Sequence, residues 1–274
     1  MTTTFDWSAV APAWEKYSGD GSRQAAMAAK SQALLEGLTI SAGDRVLELG
    51  AGTGDLGLQI AELVGPAGHL LLTDVAAGMV DILKRRSPGL AQVTVAQVDA
   101  TDTGLEDSSF DAIVFCMGLM FTLEPGAVMR KLHRLLKPGG RVGIETWAAP
   151  EHNPWVVSLG MSAMMNGVVA GGPPTQPGGL FSLGEPQALS AAITAGGFTD
   201  VNVTPFDIEF RFPDFDAYFD SVSAMAGPLA AALAAVSPEQ VQAVRTTASQ
   251  LTEQYATAEG LVLPGRALIA IAGS

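Results

Sequence analysis

Three things are scarce in this chain of 274 residues: it has one cysteine, three histidines, and only 15 lysines and arginines against 28 aspartates and glutamates. A lone Cys116 closes no internal disulfide, and no cysteine or histidine falls at a metal-ligand spacing, so neither a disulfide framework nor a metal centre is expected. That cysteine usage fits a reducing cytoplasm. The net charge of −13, with no basic run longer than Lys84-Arg85-Arg86, argues against nucleic acid or an anionic membrane as partner, since either needs several cations together. Long apolar runs are missing too. The most apolar stretch, 156–170, is interrupted by Ser158, Gly160, Ser162, Asn166 and Gly167 and is too short to span a bilayer. The start, MTTTFDW, has neither the basic nor the apolar part of a secretory leader. What the chain does have is 48% hydrophobic and 16% charged residues, the composition of a folded protein with a sizeable core.

Against that background one stretch stands out, RVLELGAGTGDLGLQIAELV from Arg45 to Val64. Val46, Leu47 and Leu49 form an apolar run too short for a helix, which predicts a buried strand. Gly50, Gly52 and Gly54 predict a tight turn where backbone approaches a ligand without a Cβ in the way. Leu56, Ile60 and Leu63 then share one helical face, and Gly65-Pro66 closes the segment. Strand, glycine turn and helix in that order aim backbone N–H groups and the positive end of a helix dipole at whatever lies over the turn. The dinucleotide fingerprint G-x-G-x-x-G needs its third glycine at position 55, where Asp55 stands. Its carboxylate is expected to repel a pyrophosphate, which disfavours a nicotinamide oxidoreductase.

The rest of the chain alternates strand and helix patterns. Strands are expected at 69–73, 92–98, 110–116 and 141–147, and helices at 76–86 and 125–137, the second followed by Pro138-Gly139-Gly140. Ahead of them Trp7, Val10, Trp14 and Tyr17 recur at helical spacing, and a second helical pattern covers 23–38. Beyond them 148–183 is rich in Gly, Pro and Met and reads as a lid or pocket wall. A helix at 186–195, a strand at 201–212 with a bulge at Pro205, a helical insertion at 214–259 and a last strand at 266–272 complete the pattern. Such alternation implies a parallel sheet with helices on both faces and ligands at the carboxyl ends of its strands. The expected divisions are a helical cap at 1–44, a core at 45–147, a lid at 148–185, and a return to the sheet at 186–274 that carries the insertion 214–260.

Acids stand where that geometry needs them: Glu48, Asp74 and Asp99 close successive strands. Asp74 suits a ribose, accepting both hydroxyls through its two oxygens. Asp99 suits the amino group of an adenine, with Ala100 leaving room for the ring and Val75, Met79 and Met117 against its faces. Each acid alone reads equally as a loop cap.

The form E-x-G-x-G-x-G over Glu48, Gly50, Gly52 and Gly54 resembles motif I of the class I S-adenosylmethionine-dependent methyltransferases. LLLTDVAAGMVD is similar to that family's next segment, VDATDTGLEDSSFDAIVFCMGLMF to its motifs II and IV, and LHRLLKPGGRVGIETW to the signature before its fifth strand. The likeness is greatest to the ubiquinone/menaquinone C-methyltransferase-like group. It implies an α/β fold: a Rossmann-like seven-stranded sheet flanked by helices, the last strand antiparallel, with helical cap insertions. It implies S-adenosyl-L-methionine as cofactor, its amino-acid moiety over Gly50, Ala51, Gly52, Thr53 and Gly54 and its ammonium held by Glu48. N-terminal helices would fold over it, with Tyr17 and Arg23 as contributors. Two positions depart from the family pattern, Ala51 for the commoner Cys or Ser, and Thr122-Leu123-Glu124 in the substrate-side loop.

Methyl transfer from a sulfonium is a displacement that asks the enzyme mainly to align the reacting atoms. The expected acceptor is an apolar small molecule, phenol-, quinone- or polyketide-like, methylated at carbon or oxygen. Tyr17, Met120, Phe121, Trp147 and Trp155 are candidates to line its pocket, and all of them read equally as core. An oxygen acceptor needs a base. His69 and His133 read as structural, which leaves His152 in WAAPEHNPW after the fifth strand. The other reading open to these residues is a cofactor-binding protein without methyl transfer. A monomer or homodimer is expected.

Overall fold

Four of the five residues of β1 (Arg45–Leu49) are buried, as a strand must be when it is paired on both sides and covered on both faces. It pairs in parallel with β2 (His69–Asp74) on one side and with β4 (Phe110–Cys116) on the other. β3 (Val93–Gln97) continues the sheet beyond β2, and β5 (Leu136–Trp147) continues it beyond β4, both in parallel. Then the direction changes. β8 (Gly260–Gly273) lies antiparallel between β5 and β6 (Thr199–Phe212), and a short β7 (Ala256–Thr257) pairs with the start of β8. The order β3-β2-β1-β4-β5-β8-β6 is the expected seven-strand path with its last strand antiparallel. Chain order reverses between β1 and β4, so the crevice above their carboxyl ends is where an open sheet of this kind receives a ligand. This architecture, a computed structural model, describes residues 5–17 and 21–274, the side chains of 21–26 excepted.

The chain enters through a 3-10 turn, Trp7–Val10, that leads into α1 (Ala11–Tyr17), and then into α2 (Gly21–Leu38). One face of the sheet, through Val46, Leu70, Leu72 and Val114, packs on Leu34 and Leu38 of α2, Ile60 of α3 (Asp55–Val64) and Leu83 of α4 (Ala77–Arg86). The opposite face, through Leu47, Leu49, Ile113 and Phe115, joins a larger core with α5 (Pro125–Leu135), α6 (Pro154–Met165), α7 (Pro186–Ala195) and α8 (Phe215–Met225). The segment 7–17 straps the front: Ala11, Trp7 and Trp14 pack on Ala76, Met79 and Ile82, and Trp14 Nε1 donates to the Met225 carbonyl at the end of α8.

Five elements differ from the sequence pattern. α5 stops at Leu135 and β5 starts at Leu136, because Phe110 pairs with Leu136 and Ala112 with Arg141, so residues 137–140 bulge from the ladder. β6 has its irregularity between Thr199 and Asn202 rather than at Pro205, which pairs in step with Leu268. An edge strand tolerates proline because the missing N–H can face away from the ladder. β8 begins at Gly260, well before Arg266, since Pro264 lies beyond the end of β5 and still pairs with Glu209. Trp147 pairs with Ala267, so the β6–β8 ribbon projects past the carboxyl end of the sheet and forms a wall there. α6 was not legible as a helix because its residues are apolar on every side, without a stripe of helical period; Pro154 sits in its first turn. It packs on α8 and on α10 (Pro238–Thr252), which follows the short α9 (Pro228–Ala234).

Candidate functional site

Gly50, Gly52 and Gly54 have φ of 62°, 57° and 85°, left-handed backbone that side chains resist. A Cβ on Gly54 would stand 2.7 Å from Leu83, while one on Gly52 meets nothing within 4 Å. At Gly52 the requirement is conformational, and the space above the turn is open. The turn is tied to β2. Ala51 N–H donates to the Thr73 carbonyl at 2.9 Å, and Gly52 N–H donates to Asp74 Oδ2 at 3.0 Å. α3 follows with Gly54 at its N-cap and no capping side chain there, which leaves helix N–H groups for an acceptor from elsewhere.

Asp55, the first residue of α3, is not a bare charge. Arg86 Nη2 lies 2.7 Å from its Oδ1, and Thr53 Oγ1 lies 2.7 Å from its Oδ2. The repulsion expected of Asp55 toward a pyrophosphate is therefore partly offset by the guanidinium. Discrimination against a dinucleotide falls instead to the glycine spacing.

The three strand-end acids have different surroundings. Asp74 is buried and takes one backbone N–H at each oxygen, from Ala76 at 2.9 Å and from Gly52. Burial raises its pKa and those bonds oppose the rise. Glu48 is 2% exposed, and its Oε2 has no hydrogen-bond partner. A Cβ at Gly57 would come within 2.6 Å of that oxygen, so α3 can approach only because position 57 is glycine. Burial first, then Glu145, Asp74 and Asp55, push the Glu48 pKa up to about 8. Asp99 is turned onto its own loop: Oδ1 accepts from the Thr101 N–H at 2.8 Å and from its hydroxyl at 2.6 Å, the loop-cap geometry.

Met79 and Ala100 are buried, Val75 is exposed, and Met117 is half-buried at the end of β4. Met117 has φ 53°, a conformation that a non-glycine residue holds only when its surroundings impose it; its N–H donates to the Glu145 carbonyl at 2.9 Å. Met120 is fully buried, and Trp147 and Trp155 belong to an aromatic block with Phe210, with ring centroids 4.9, 6.0 and 4.6 Å apart. Phe121 and Tyr17 are half-buried; the Phe121 ring lies 5.0 Å from that of Trp7, and the Tyr17 hydroxyl accepts from Lys16 Nζ at 2.9 Å. The Arg23 side chain lies outside the described residues. His152 stands exposed in a 3-10 turn after β5, while Glu48 and Asp74 are buried at the ends of β1 and β2.

Sequence reasoning missed Glu145 and Lys30. Glu145 on β5 is wholly buried and forms an ion pair with Lys30 of α2 beside Cys116, whose thiol pKa burial drives upward. The available signal was a charge interrupting an apolar strand pattern and a lysine alone in an alanine-rich helix. Asn153 was missed as well. Its Nδ2 donates to the carbonyls of Ala148 and Arg266, and its Oδ1 accepts from Arg266 N–H and Trp155 Nε1.

Residues 46–140 match the methyltransferase-domain family. The chain is 38% identical over 109 residues to a demethylmenaquinone methyltransferase of Clavibacter sepedonicus, covering 40% of this chain and 43% of that protein. It is 34% identical over 122 residues to the ubiquinone/menaquinone biosynthesis C-methyltransferase UbiE of Cellvibrio japonicus, covering 43% and 49%. The chain thus spans about half the length of the curated relatives it matches. In fold it is similar to the crystal structure of the YcgJ protein of Bacillus subtilis, with TM-score 0.59, 17% identity, and coverage of 89% of this chain and 97% of that one.

Proposed function

We propose, from the premise that residues 46–140 match the methyltransferase-domain family, that this protein moves a methyl group from S-adenosylmethionine to an apolar small molecule. The acceptor is phenol-, quinone- or polyketide-like and is methylated at carbon or oxygen. The similarity to a demethylmenaquinone methyltransferase favours the quinone end of that range. The observation that carries the reading is the joint between the glycine turn and Asp74, where one carboxylate fixes both the turn and the start of α4.

The residues present fit the cofactor. Asp74 has one lone pair left on each oxygen for two ribose hydroxyls. The unpartnered Oε2 of Glu48 calls for a donor, and an ammonium is one. The uncapped start of α3 suits a carboxylate, and Ala100, Met79 and Val75 suit the faces of an adenine. When bound, S-adenosylmethionine supplies a methyl carbon made electrophilic by its sulfonium sulfur. The work of the chain is to align the acceptor with that carbon and to keep water away. The strap at 7–17, α8 and the β6–β8 ribbon stand over the carboxyl ends and serve the second purpose.

The cap 1–44, core 45–147, lid 148–185 and returning segment 186–274 are the corresponding functional divisions. A cytoplasmic location is supported by the lone cysteine, and the exclusion of nucleic acid as partner by the charge of −13; a monomer or homodimer belongs to the same reading. No helix among the described residues is long and apolar enough to cross a membrane.

Calorimetry with S-adenosylmethionine, S-adenosylhomocysteine and NAD tests the cofactor, and transfer of labelled methyl to 1,4-naphthohydroquinone and a panel of phenols tests the reaction. Binding of the two sulfur nucleosides and label in the organic extract are expected. Binding of NAD alone would reverse the reading, and bound cofactor without methylated product would leave a binding protein.

A further inference from the structure

Glu48 lies in the middle of the sheet, opposite Leu72 on β2 and Val114 on β4. Titratable groups act on it from the elements packed there, Glu145 from β5, Asp74 from β2 and Asp55 from α3, and Cys116 of β4 is coupled to it; Lys30 of α2 reaches Glu145 and Cys116. Lys30 is committed to Glu145, and Arg86 to Asp55. Asp74 is supported by two backbone N–H donors. Glu48 Oε2 has no donor, and its close neighbours are the Leu72 methyls and the bare Cα of Gly57. An ion there would be buried, without a hydrogen bond to that oxygen, and beside three other carboxylates. Each of these conditions favours the neutral acid.

We propose that Glu48 is carried protonated in the free protein and gives up its proton when the ammonium of the cofactor arrives, so that binding releases one proton to solvent. The inference rests on the cofactor reading above. The carboxyl O–H bond breaks, the proton passes to buffer, and the carboxylate pairs with the incoming cation. The free site is thereby spared a stranded charge, and the bound site gains an ion pair in a place where water does not screen it. Affinity for any nucleoside bearing the ammonium then rises with pH until the carboxyl is ionised without help, near the pKa of about 8. A nucleoside without the amino-acid tail gains nothing from that rise.

The test is calorimetric titration of the whole protein with S-adenosylhomocysteine, in buffers of differing ionisation enthalpy, with 5′-methylthioadenosine as the tailless probe. The native protein should release close to one proton near neutral pH and, below the Glu48 pKa, bind about tenfold more tightly for each unit by which the pH rises, the dependence expected of a single linked proton. Glu48→Gln, checked for folding by circular dichroism, should bind without proton release or pH dependence. 5′-Methylthioadenosine should release no proton from the native protein, a comparison that stands even if the variant fails to fold. Equal proton release by native protein and variant, or by the two nucleosides, would overturn the proposal while leaving the cofactor reading intact. If S-adenosylhomocysteine does not bind, the cofactor reading is lost and the proposal with it.

Discussion

Arg86 and Asp55 form a 2.7 Å ion pair that joins the last turn of α4 to the first turn of α3, and the same guanidinium donates to the Thr53 carbonyl at 2.6 Å. The glycine turn is thus held from behind by a helix that starts just after Asp74. The pair is about a third exposed, so its charge contributes little, ~0.5 kcal/mol; the bond to the turn carbonyl adds about 1 kcal/mol. Arg86→Met is expected to weaken S-adenosylhomocysteine binding roughly three- to tenfold, with partial recovery in Arg86→Lys. Titration calorimetry reads this directly, and an unchanged dissociation constant would mean the turn keeps its shape without the clamp.

Asp74 should matter more. Its removal leaves the ribose hydroxyls and two backbone N–H groups without an acceptor, a loss of about 1 to 3 kcal/mol. Asp74→Ala is therefore expected to raise the dissociation constant about 5- to 150-fold. Adenosine alone should lose affinity in the same proportion, since the ribose is common to both. Preserved adenosine binding would remove the ribose assignment.

The sequence displayed the turn and Asp74 because both are local: three glycines needing positive φ and a carboxylate at the next strand end are set by neighbours within a few residues. Glu145 was hidden because its meaning lies in Lys30, 115 positions away. The starts of β5 and β8 were misjudged because register, rather than apolar content, extends a strand through 137–140 and through Pro264. In WAAPEHNPW, attention to titratable residue type selected His152 and passed over Asn153, whose importance comes from backbone groups of β8 that meet it only in the fold.

That last contrast is measurable. His152→Ala should leave stability and methyl transfer as they were, since the ring is exposed in the turn after β5. Asn153→Ala strips hydrogen bonds from a residue with no exposed surface and should cost about 2 to 4 kcal/mol, several buried groups being left unsatisfied. Urea unfolding of the two variants side by side decides it. A large effect of His152→Ala on transfer alone would restore that residue to the reaction.

Lys30→Met leaves Glu145 buried and alone, which is expected to destabilise the fold by about 3 to 5 kcal/mol. The double change Lys30→Met with Glu145→Leu should recover most of that loss, because an apolar pair of similar volume needs no desolvation of ions. If the double variant were as unstable as the single one, packing rather than the stranded charge would be the cause.

Glu48 offers the opposite prospect, a substitution that stabilises. Its folded-state pKa of about 8 stands above the ordinary value of 4.5, so the folded protein keeps a proton that the unfolded chain gives up. The contribution of this group is full below the ordinary value and is lost as pH rises through that window toward the folded value. The shift corresponds to at most ~5 kcal/mol, and structural relaxation reduces it to an expected few kcal/mol. Glu48→Gln has no proton to lose. It should therefore match the native protein in stability near the lower end of the window and exceed it near the upper end, while binding the cofactor less tightly. The two proteins differ only at this position, so the difference between their urea-unfolding free energies across pH reports Glu48 together with its coupling to Glu145, Asp74 and Asp55. Curves that run parallel throughout would mean that Glu48 ionises in the fold as it does in the open chain.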